Sequence, residues 1–247
     1  MSDRFQIKFL EWDSNFWRKR IAYITSRKLK ETHIVKVDKF VKDKHIKLVQ
    51  YLCDCNDRDS VVIAESNGFS FVDIRLTFER KLSNFENINL ELQAGFKLDV
   101  ANESDIEVIG SIAEDLYYDS RYFFDKKFYD KDVRRFYKNW AKKGVMGEFD
   151  DICRCLRNER NEAIGFVTLK HDQKNMISSI GLVGLHKKYH GKGLGLSLLN
   201  NVIQSELLGG YKTMSVVTQG RNYAAQRLYQ RAGFLTKSTE LWYHKWI

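Results

Sequence analysis

Hydrophobic positions along this chain switch between two periods. Short apolar or alternating runs predict strands at IKLVQYLC (46–53), FVDIRLTFER (71–80), FKLDV (96–100), ICRCLR (152–157), AIGFVTLK (163–170), MISSIGLVGL (176–185), YKTMSVVTQ (211–219) and ELWYHKWI (240–247). Helical spacing recurs elsewhere. Ile106, Ile109, Ala113, Leu116 and Tyr117 form one stripe, opened by a capping box of Ser104 and Glu107. Val133, Phe136, Tyr137, Trp140 and Ala141 form a second, over 131–142, with Gly144 as its stop. Leu194, Leu198, Leu199, Val202, Ile203 and Leu207 mark a helix that Gly209 and Gly210 end. RNYAAQRLYQRAG gives a last helix, ending on Gly233.

The polar stretch 82–95 is the clearest punctuation, so two parts are expected: 1–95 and 96–247. The first faintly echoes the second. SVVIAESNGF followed by FVDIRLTFER parallels AAQRLYQRAGF followed by STELWYHKWI, each an apolar helix, Gly-Phe and a long strand. The earlier part therefore reads as a degenerate copy of the same half-fold or as an unrelated segment sharing a helix stop.

Composition narrows the class. With 43% hydrophobic and 30% charged residues over 247 positions the chain can bury a real core. No apolar run approaches the roughly 20 residues of a membrane span, and the acidic residues of MSDRFQIKFLEWD do not suit a signal peptide. A cytoplasmic protein without a membrane partner is expected. The net charge of +9 raises nucleic-acid binding, but residues 1–95 carry 17 basic and 14 acidic side chains and residues 96–247 carry 24 and 18. Interspersed signs favour local anion sites over a duplex-binding stripe, so no nucleic-acid partner is expected. Cys53 with Cys55 and Cys153 with Cys155 form Cys-x-Cys pairs, unlike the Cys-x-x-Cys of zinc knuckles. They read as reduced thiols, with no metal.

The chemistry concentrates at YHGKGLG (189–195), between a predicted strand and a predicted helix. Glycines let backbone approach a ligand, and the first NH groups of a helix lack internal acceptors, so this is an anion cradle. Its spacing is neither the G-x-G-x-x-G of dinucleotide loops nor the Gly-Lys-Ser/Thr of triphosphate loops.

About 30 residues on stands N-x-x-A-x-x-L-Y-x-x-x-G-F, from Asn222 to Phe234. With VGLHKKYHGKGLG before it, the pattern resembles the acetyl-CoA-binding half of the GNAT family of N-acetyltransferases, over roughly residues 96–247. The resemblance implies an α+β fold: the GNAT acyl-CoA N-acyltransferase fold, a mixed, mostly antiparallel sheet splayed at the cofactor and flanked by helices, here with a smaller N-terminal α/β domain. It implies that strands 176–185 and 211–218 run parallel, linked by the helix over 193–208. It implies acetyl-CoA as co-substrate, with Val183, Gly184 and Leu185 pairing their backbone with the pantetheine arm. His190, Gly191, Lys192, Gly193, Leu194 and Gly195 would hold the pyrophosphate; His190 stands where the family has Arg or Gln. Asn222 would touch the pantetheine, although it equally suits a helix N-cap. Tyr229 would meet the departing sulfur as a hydrogen-bond donor. No general base stands out, with His171, Asp119 and Glu148 as candidates.

The acceptor region is expected at 117–140, where ten of 24 residues are aromatic. Phe136 and Trp140 read as core. Ser120, Arg121, Tyr122, Phe123, Phe128 and Tyr129 lack helical period and are expected to stack a base or sugar while Arg121 pairs a phosphate. DSRYF, RRFYKNW, TQGRN and LEWDSNFWRKRIAYITS are similar to the dTDP-fucosamine acetyltransferase branch of the family, which implies a nucleotide-linked 4-amino-dideoxy sugar as acceptor. Another small amine, such as an amino acid or aminoglycoside, and a non-catalytic acyl-CoA-binding role are the alternatives. A homodimer is an assembly open to such a chain.

Overall fold

The computed structural model describes residues 5–82, 92 and 94–247. Most of the expected boundary stretch, 83–91 and 93, lies outside the described residues. In chain order the elements are β1 (Ile7–Phe9), α1 (Glu11–Trp17), β2 (Ile21–Ile24), α2 (Glu31–Asp43), β3 (Leu48–Asp54), α3 (Arg58–Ser66), β4 (Ser70–Lys81) and β5 (Lys97–Val100). There follow α4 (Ile106–Glu114), α5 (Arg121–Phe124), α6 (Asp130–Val145), β6 (Ile152–Arg157), β7 (Ala163–Asp172), β8 (Ile177–Leu185), α7 (Leu194–Leu208), β9 (Thr213–Gln219), α8 (Tyr223–Arg231) and β10 (Leu235–Trp246).

The ten strands of the described residues form one sheet, in the order β1-β2-β3-β10-β4-β9-β8-β7-β6-β5. Among the described residues only β2–β3 and β8–β9 are parallel neighbours, each joined through a helix, α2 and α7; the other pairs are antiparallel. The α+β fold with a mixed, mostly antiparallel sheet is therefore present. The arrangement is nearly palindromic: β10-β3-β2-β1 reads outward from the centre as β4-β9-β8-β7 does. After Gly68-Phe69 the strand β4 leaves its own half to pair with β9, and after Gly233-Phe234 the strand β10 crosses to pair with β3. Each half thus lends its last strand to the other.

Helices cover both faces. On one, α2 and α3 bury Ile34, Val37 and Ala64 against Ala22, Ile24, Val49 and Tyr51, while α7 and α8 bury Leu198, Leu199, Val202 and Tyr229 against Val167, Leu169, Met214 and Val216. On the other, α1, α4, α5 and α6 enclose an aromatic core of Trp17, Tyr122, Phe128 and Phe136. Cys153 and Cys155 point together into that core, as strand alternation requires, and burial pushes the Cys155 thiol up to about 12.

Three local expectations are corrected. The capping box before α4 is Asn102 with Asp105, not Ser104 with Glu107: Asn102 Oδ1 accepts from the Ser104 amide at 2.9 Å and Asp105 Oδ2 from the Asn102 amide at 2.9 Å. Glu107 instead pairs with Lys142 of α6. Gly144 lies inside the last turn of α6, where a Cβ would sit 2.7 Å from Thr168 Cγ2; it permits close packing, and the left-handed Gly147 marks the stop. Tyr117 is not on the α4 stripe, because α4 ends at Glu114 and Tyr117 takes a left-handed φ of 54° beyond it.

Candidate active site

The site begins where two parallel strands part. β8 and β9 pair from Ile177↔Thr213 to Ile180↔Val216 and then diverge, leaving residues 181–185 of β8 without a β9 partner among the described residues. The equivalent pair in the other half stays closed. There β2–β3 pairing reaches Ile24↔Tyr51, and the Asp54 amide and the Tyr51 hydroxyl both donate to the Arg27 carbonyl, at 3.0 and 2.9 Å. One half therefore has an opening and the other does not.

Two phenols meet at the opening. From α8, Tyr229 is buried against Phe78 and Phe234. From beyond α4, Tyr117 donates its hydroxyl to the Val183 carbonyl at 2.9 Å and stacks on Tyr137 at 4.6 Å. Burial raises both phenols above the ordinary tyrosine range, and in Tyr117 the nearby Tyr229 adds to the shift. Both therefore stay protonated. Val183 and Leu185 are half-buried, and at Gly184 a Cβ would fall 2.6 Å from Leu116 Cδ1 and 2.7 Å from the Phe166 ring, so the side-chain-free position is what lets the segment after α4 pack there.

The glycine turn follows directly. His190 directs Nε2 to the Leu185 carbonyl at 2.7 Å, so its ring closes the turn on β8. Gly191 and Gly193 take φ of 73° and 77°, and Gly193 is the N-cap of α7, its carbonyl accepting from the Leu196 and Ser197 amides. The first amides of α7 have no intrahelical acceptor, so the turn presents main-chain donors and the positive end of a 15-residue helix. Leu194 is buried as the helix anchor, Gly195 lies beside Leu228, and the Lys192 ammonium stands over the Tyr189 ring at 5.4 Å. A cleft of about 380 Å³ lies alongside, between Ile112 of α4 and Leu116 just beyond it on one side and Leu185, His186 and Lys187 on the other. These features fit a thioester cofactor with a diphosphate. Asn222 caps α8 by accepting from the Ala225 amide at 3.0 Å.

The acceptor region differs from its expectation. Tyr122 and Phe128 are core residues, 1% and 4% exposed, packed on Trp17, Phe136 and His244, so they are not free to stack a ligand. The aperiodic stretch hides a four-residue helix, α5, too short to show a period, whose buried face carries Tyr122. Ser120 is also buried, and Tyr129 is 71% exposed at the start of α6, away from the core. Phe123 leans on Tyr118. Arg121 does face the sheet: its guanidinium lies 4.1 Å from the Trp242 ring and 4.3 Å from that of Tyr122, and donates to the Tyr122 hydroxyl at 2.8 Å. Asp125 ties the end of α5 to β10 through His244 Nδ1 at 2.6 Å and Trp246 Nε1 at 2.8 Å.

Asp73 escapes a sequence reading altogether. It lies on β4 just past the end of β9, where a bulge opposite Trp242 and Tyr243 breaks the register. The carboxylate is 2% exposed, accepts from the Ile74 amide at 2.9 Å and faces Arg221 at 3.5 Å; Arg221 also donates to the Val72 carbonyl at 3.0 Å. Burial lifts its pKa to about 6 against the pull of Arg221 and Arg121, and Asp119 pushes the same way as burial. Burial raises the phenol of Tyr137, which stacks on Tyr117, and Tyr122 and Asp73 add to the shift against Ser120 and Arg121. Strand pairing alone could have suggested the position, since only the exchange of β4 brings it to the opening. Of the three expected base candidates, Asp119 lies near enough to Asp73 to act on its carboxyl, and the other two lie elsewhere. His171 pairs with the buried Glu206 at 2.7 Å at the closed end of β8, and Glu148 pairs with Lys143.

Residues 112–234 match the acetyltransferase (GNAT) family. The chain is 31% identical over 147 residues to a dTDP-fucosamine acetyltransferase of Escherichia coli, covering 59% of this chain and 62% of that protein. It is 26% identical over 152 residues to the spore coat polysaccharide biosynthesis protein SpsD of Bacillus subtilis, covering 61% and 51%. The chain thus spans less than two thirds of either relative's length. A GCN5-related N-acetyltransferase from Sphaerobacter thermophilus shares the fold, with a TM-score of 0.67 at 14% identity over 97% of this chain and 76% of that one. No helix among the described residues is long and apolar enough to cross a membrane, and no cluster of His, Cys, Asp or Glu among them could hold a metal.

Proposed function

The chain carries an acetyltransferase domain of the GNAT family, and on that premise we propose that it is an acetyl-CoA-dependent N-acetyltransferase whose acceptor is the amino group of a nucleotide-linked, dTDP-type 4-amino-dideoxy sugar. The observation that carries this reading is the opening between β8 and β9, with a glycine turn at one end and Tyr229, Tyr117 and Asp73 around the other. The names of the two relatives, one acting on a dTDP-linked amino sugar and one in polysaccharide biosynthesis, support the acceptor class. The N-terminal part, whose strand order mirrors the catalytic half but whose parallel pair is closed, reads as a degenerate half-GNAT that supplies one wall of the acceptor site.

Bound acetyl-CoA supplies an acetyl group activated as a thioester. The turn from His190 to Gly195 holds its diphosphate through main-chain amides, and the backbone of Val183, Gly184 and Leu185 lines its arm. Asp73 accepts a proton from the acceptor ammonium or from the attacking amine, which forms the new N–C bond as the C–S bond breaks. A backbone NH of the 183–185 segment steadies the oxyanion. Tyr229 donates a hydrogen bond to the departing sulfur. Full proton transfer from a phenol at or above its ordinary pKa to a thiolate near 8.5 is uphill by at least ~2 kcal/mol, so hydrogen bonding comes first and protonation completes late.

The test is release of free CoA from acetyl-CoA in the presence of a panel of amines. Turnover on a dTDP-linked 4-amino sugar well above that on amino acids and aminoglycosides supports the reading. Turnover on simple amines with none on any sugar nucleotide assigns the second acceptor class, and acyl-CoA binding without turnover on any amine assigns a binding role.

A further inference from the structure

β8 bends at the point where it parts from β9. Leu169 pairs with Ile180 and Val167 with Val183, so Gly181 and Leu182 together stand opposite the single residue Thr168, as a β-bulge. Ile180↔Val216 is the last β8–β9 pair, so the bulge and the start of the opening coincide, and Gly181 is exposed there. The core registers the change. Ile180 packs with α7 on one side of the sheet and Leu182 with α4 and α6 on the other, whereas residues two apart on an unbroken strand share a face.

A bulge leaves one residue without its place in the ladder, and a buried amide left over in this way needs another acceptor. Leu182 donates its amide to the side chain of the opposing residue, Thr168 Oγ1, at 2.8 Å, and Thr168 is fully buried. Asp150, in the connection between α6 and β6, stands at the same spot. That connection is fastened to β7 by Asp151, whose amide donates to the Leu169 carbonyl at 2.8 Å and whose carboxylate accepts from the His171 amide at 2.6 Å. A Cβ on Gly181 would fall 2.5 Å from Asp150 Oδ2 and 2.7 Å from Oδ1; one on Gly144 would fall 2.7 Å from Thr168 Cγ2 and 3.4 Å from Asp150 Oδ2. Two glycines, one in the last turn of α6 and one in the bulge, thus leave the room that these two polar side chains fill.

Asp150 is 6% exposed, and its Oδ2 has no hydrogen-bond partner. Burial pushes its carboxyl up, while the Thr168 hydroxyl and the charge of Lys170 pull against burial. A buried carboxylate oxygen left unfilled costs stability that an apolar side chain of similar size would not. We propose that Thr168 and Asp150 are positioning residues for acetyl transfer: Thr168 takes the surplus Leu182 amide, Asp150 orients the Thr168 hydroxyl and occupies the place of a Gly181 side chain, and together they fix the bulge that turns residues 181–185 away from β9 and along the thioester. They act through the strand. The proposal rests on the reading of β8 as the wall along which the cofactor lies, and it makes a separate demand: the hydroxyl of Thr168, not its bulk, sets the rate.

Amide exchange on the free full chain and steady-state kinetics test it together. Thr168→Val keeps the shape and removes the acceptor; Thr168→Ser keeps the acceptor. In Thr168→Val the Leu182 amide is expected to exchange at least about tenfold faster, while those of Val167 and Leu169 keep their parent rates. With an amine on which the parent turns over, kcat should fall about tenfold or more, and CoA affinity should stay within about threefold of the parent because the glycine turn is untouched. Thr168→Ser should stay within about threefold of the parent in exchange and in kcat. Asp150→Ala should move both in the direction of Thr168→Val, and Asp150→Asn, which keeps an oxygen for the hydroxyl, should restore them. Parent values of Leu182 exchange and kcat in Thr168→Val overturn the proposal, and so does a Thr168→Ser variant as impaired as Thr168→Val. Parent values in Asp150→Ala overturn the role of Asp150. Failure confined to these variants leaves an acetyltransferase, whereas a parent that transfers acetyl to no amine removes that reading and leaves Leu182 exchange to decide whether Thr168 holds the bulge.

Discussion

The Tyr117 hydroxyl donates to the Val183 carbonyl at 2.9 Å, across the opening where β8 has lost its β9 partner. An unpaired strand carbonyl in a buried setting is costly, and Tyr117 satisfies it. A pantetheine amide laid along β8 would compete for the same acceptor. Tyr117→Phe is therefore expected to lower the stability of the free protein by about 1–2 kcal/mol. Saturating acetyl-CoA should recover that loss, so the ligand-induced rise in Tm is larger in the variant than in the parent. Thermal unfolding with and without acetyl-CoA measures both.

Tyr229 is held protonated by burial, which suits a donor to a departing sulfur. Tyr229→Phe removes the donor and keeps the ring against Phe78 and Phe234. The expected result is a fall in kcat of about 10²-fold or more, with the KM for acetyl-CoA within about threefold of the parent. Steady-state kinetics on the acceptor decides between this and a purely structural tyrosine, which would change stability and leave kcat in place.

Asp73 has a pKa raised to about 6, chiefly by burial. Its charged form takes the proton, so kcat/KM for the acceptor should rise with pH through about 6 and fall away below it as the carboxyl protonates. Asp73→Asn should lose that acidic limb and lower the plateau by about 10²-fold or more. A limb that survives the substitution assigns the titration to another group.

Arg157 holds Asp105 through two bonds, 2.8 and 2.7 Å, with both side chains nearly buried. Burial pushes the Asp105 carboxyl up, but Arg157 and the Asn102 amide outweigh it and the net shift is downward. The stabilisation from this lowered pKa is present above the ordinary aspartate range and is lost as pH falls through the folded value. Asp105→Ala is expected to cost about 3–5 kcal/mol near neutral pH, with the gap to the parent narrowing in acid. Denaturant unfolding at neutral and acid pH measures both.

The glycine turn of this candidate site was legible in the chain because it is local. A strand, three glycines and a helix are contiguous, and the left-handed Gly191 and Gly193 mark the turn directly. The acceptor end was not, because it is assembled by strand exchange. Asp73 and Arg75 reach the opening only because β4 crosses from one half to lie beside β9, a pairing that periodicity cannot reveal. Tyr122 and Phe128 misled for a related reason. Tyr122 sits on a helix only four residues long and Phe128 in the loop after it, and their burial comes from α1 and β10, supplied by distant segments. Tyr117 sat at the right spacing for the α4 stripe, yet one left-handed residue turned its ring into the opening.

The most direct measurement of the central claim is amide hydrogen exchange with and without CoA. If the opening in β8 and the glycine turn grip the cofactor by their main chain, exchange at residues 181–185 and 191–195 should slow by about tenfold or more on saturation, with little change in the closed β2–β3 pair. CoA binding that leaves those ten amides exchanging as in the free protein would contradict the account.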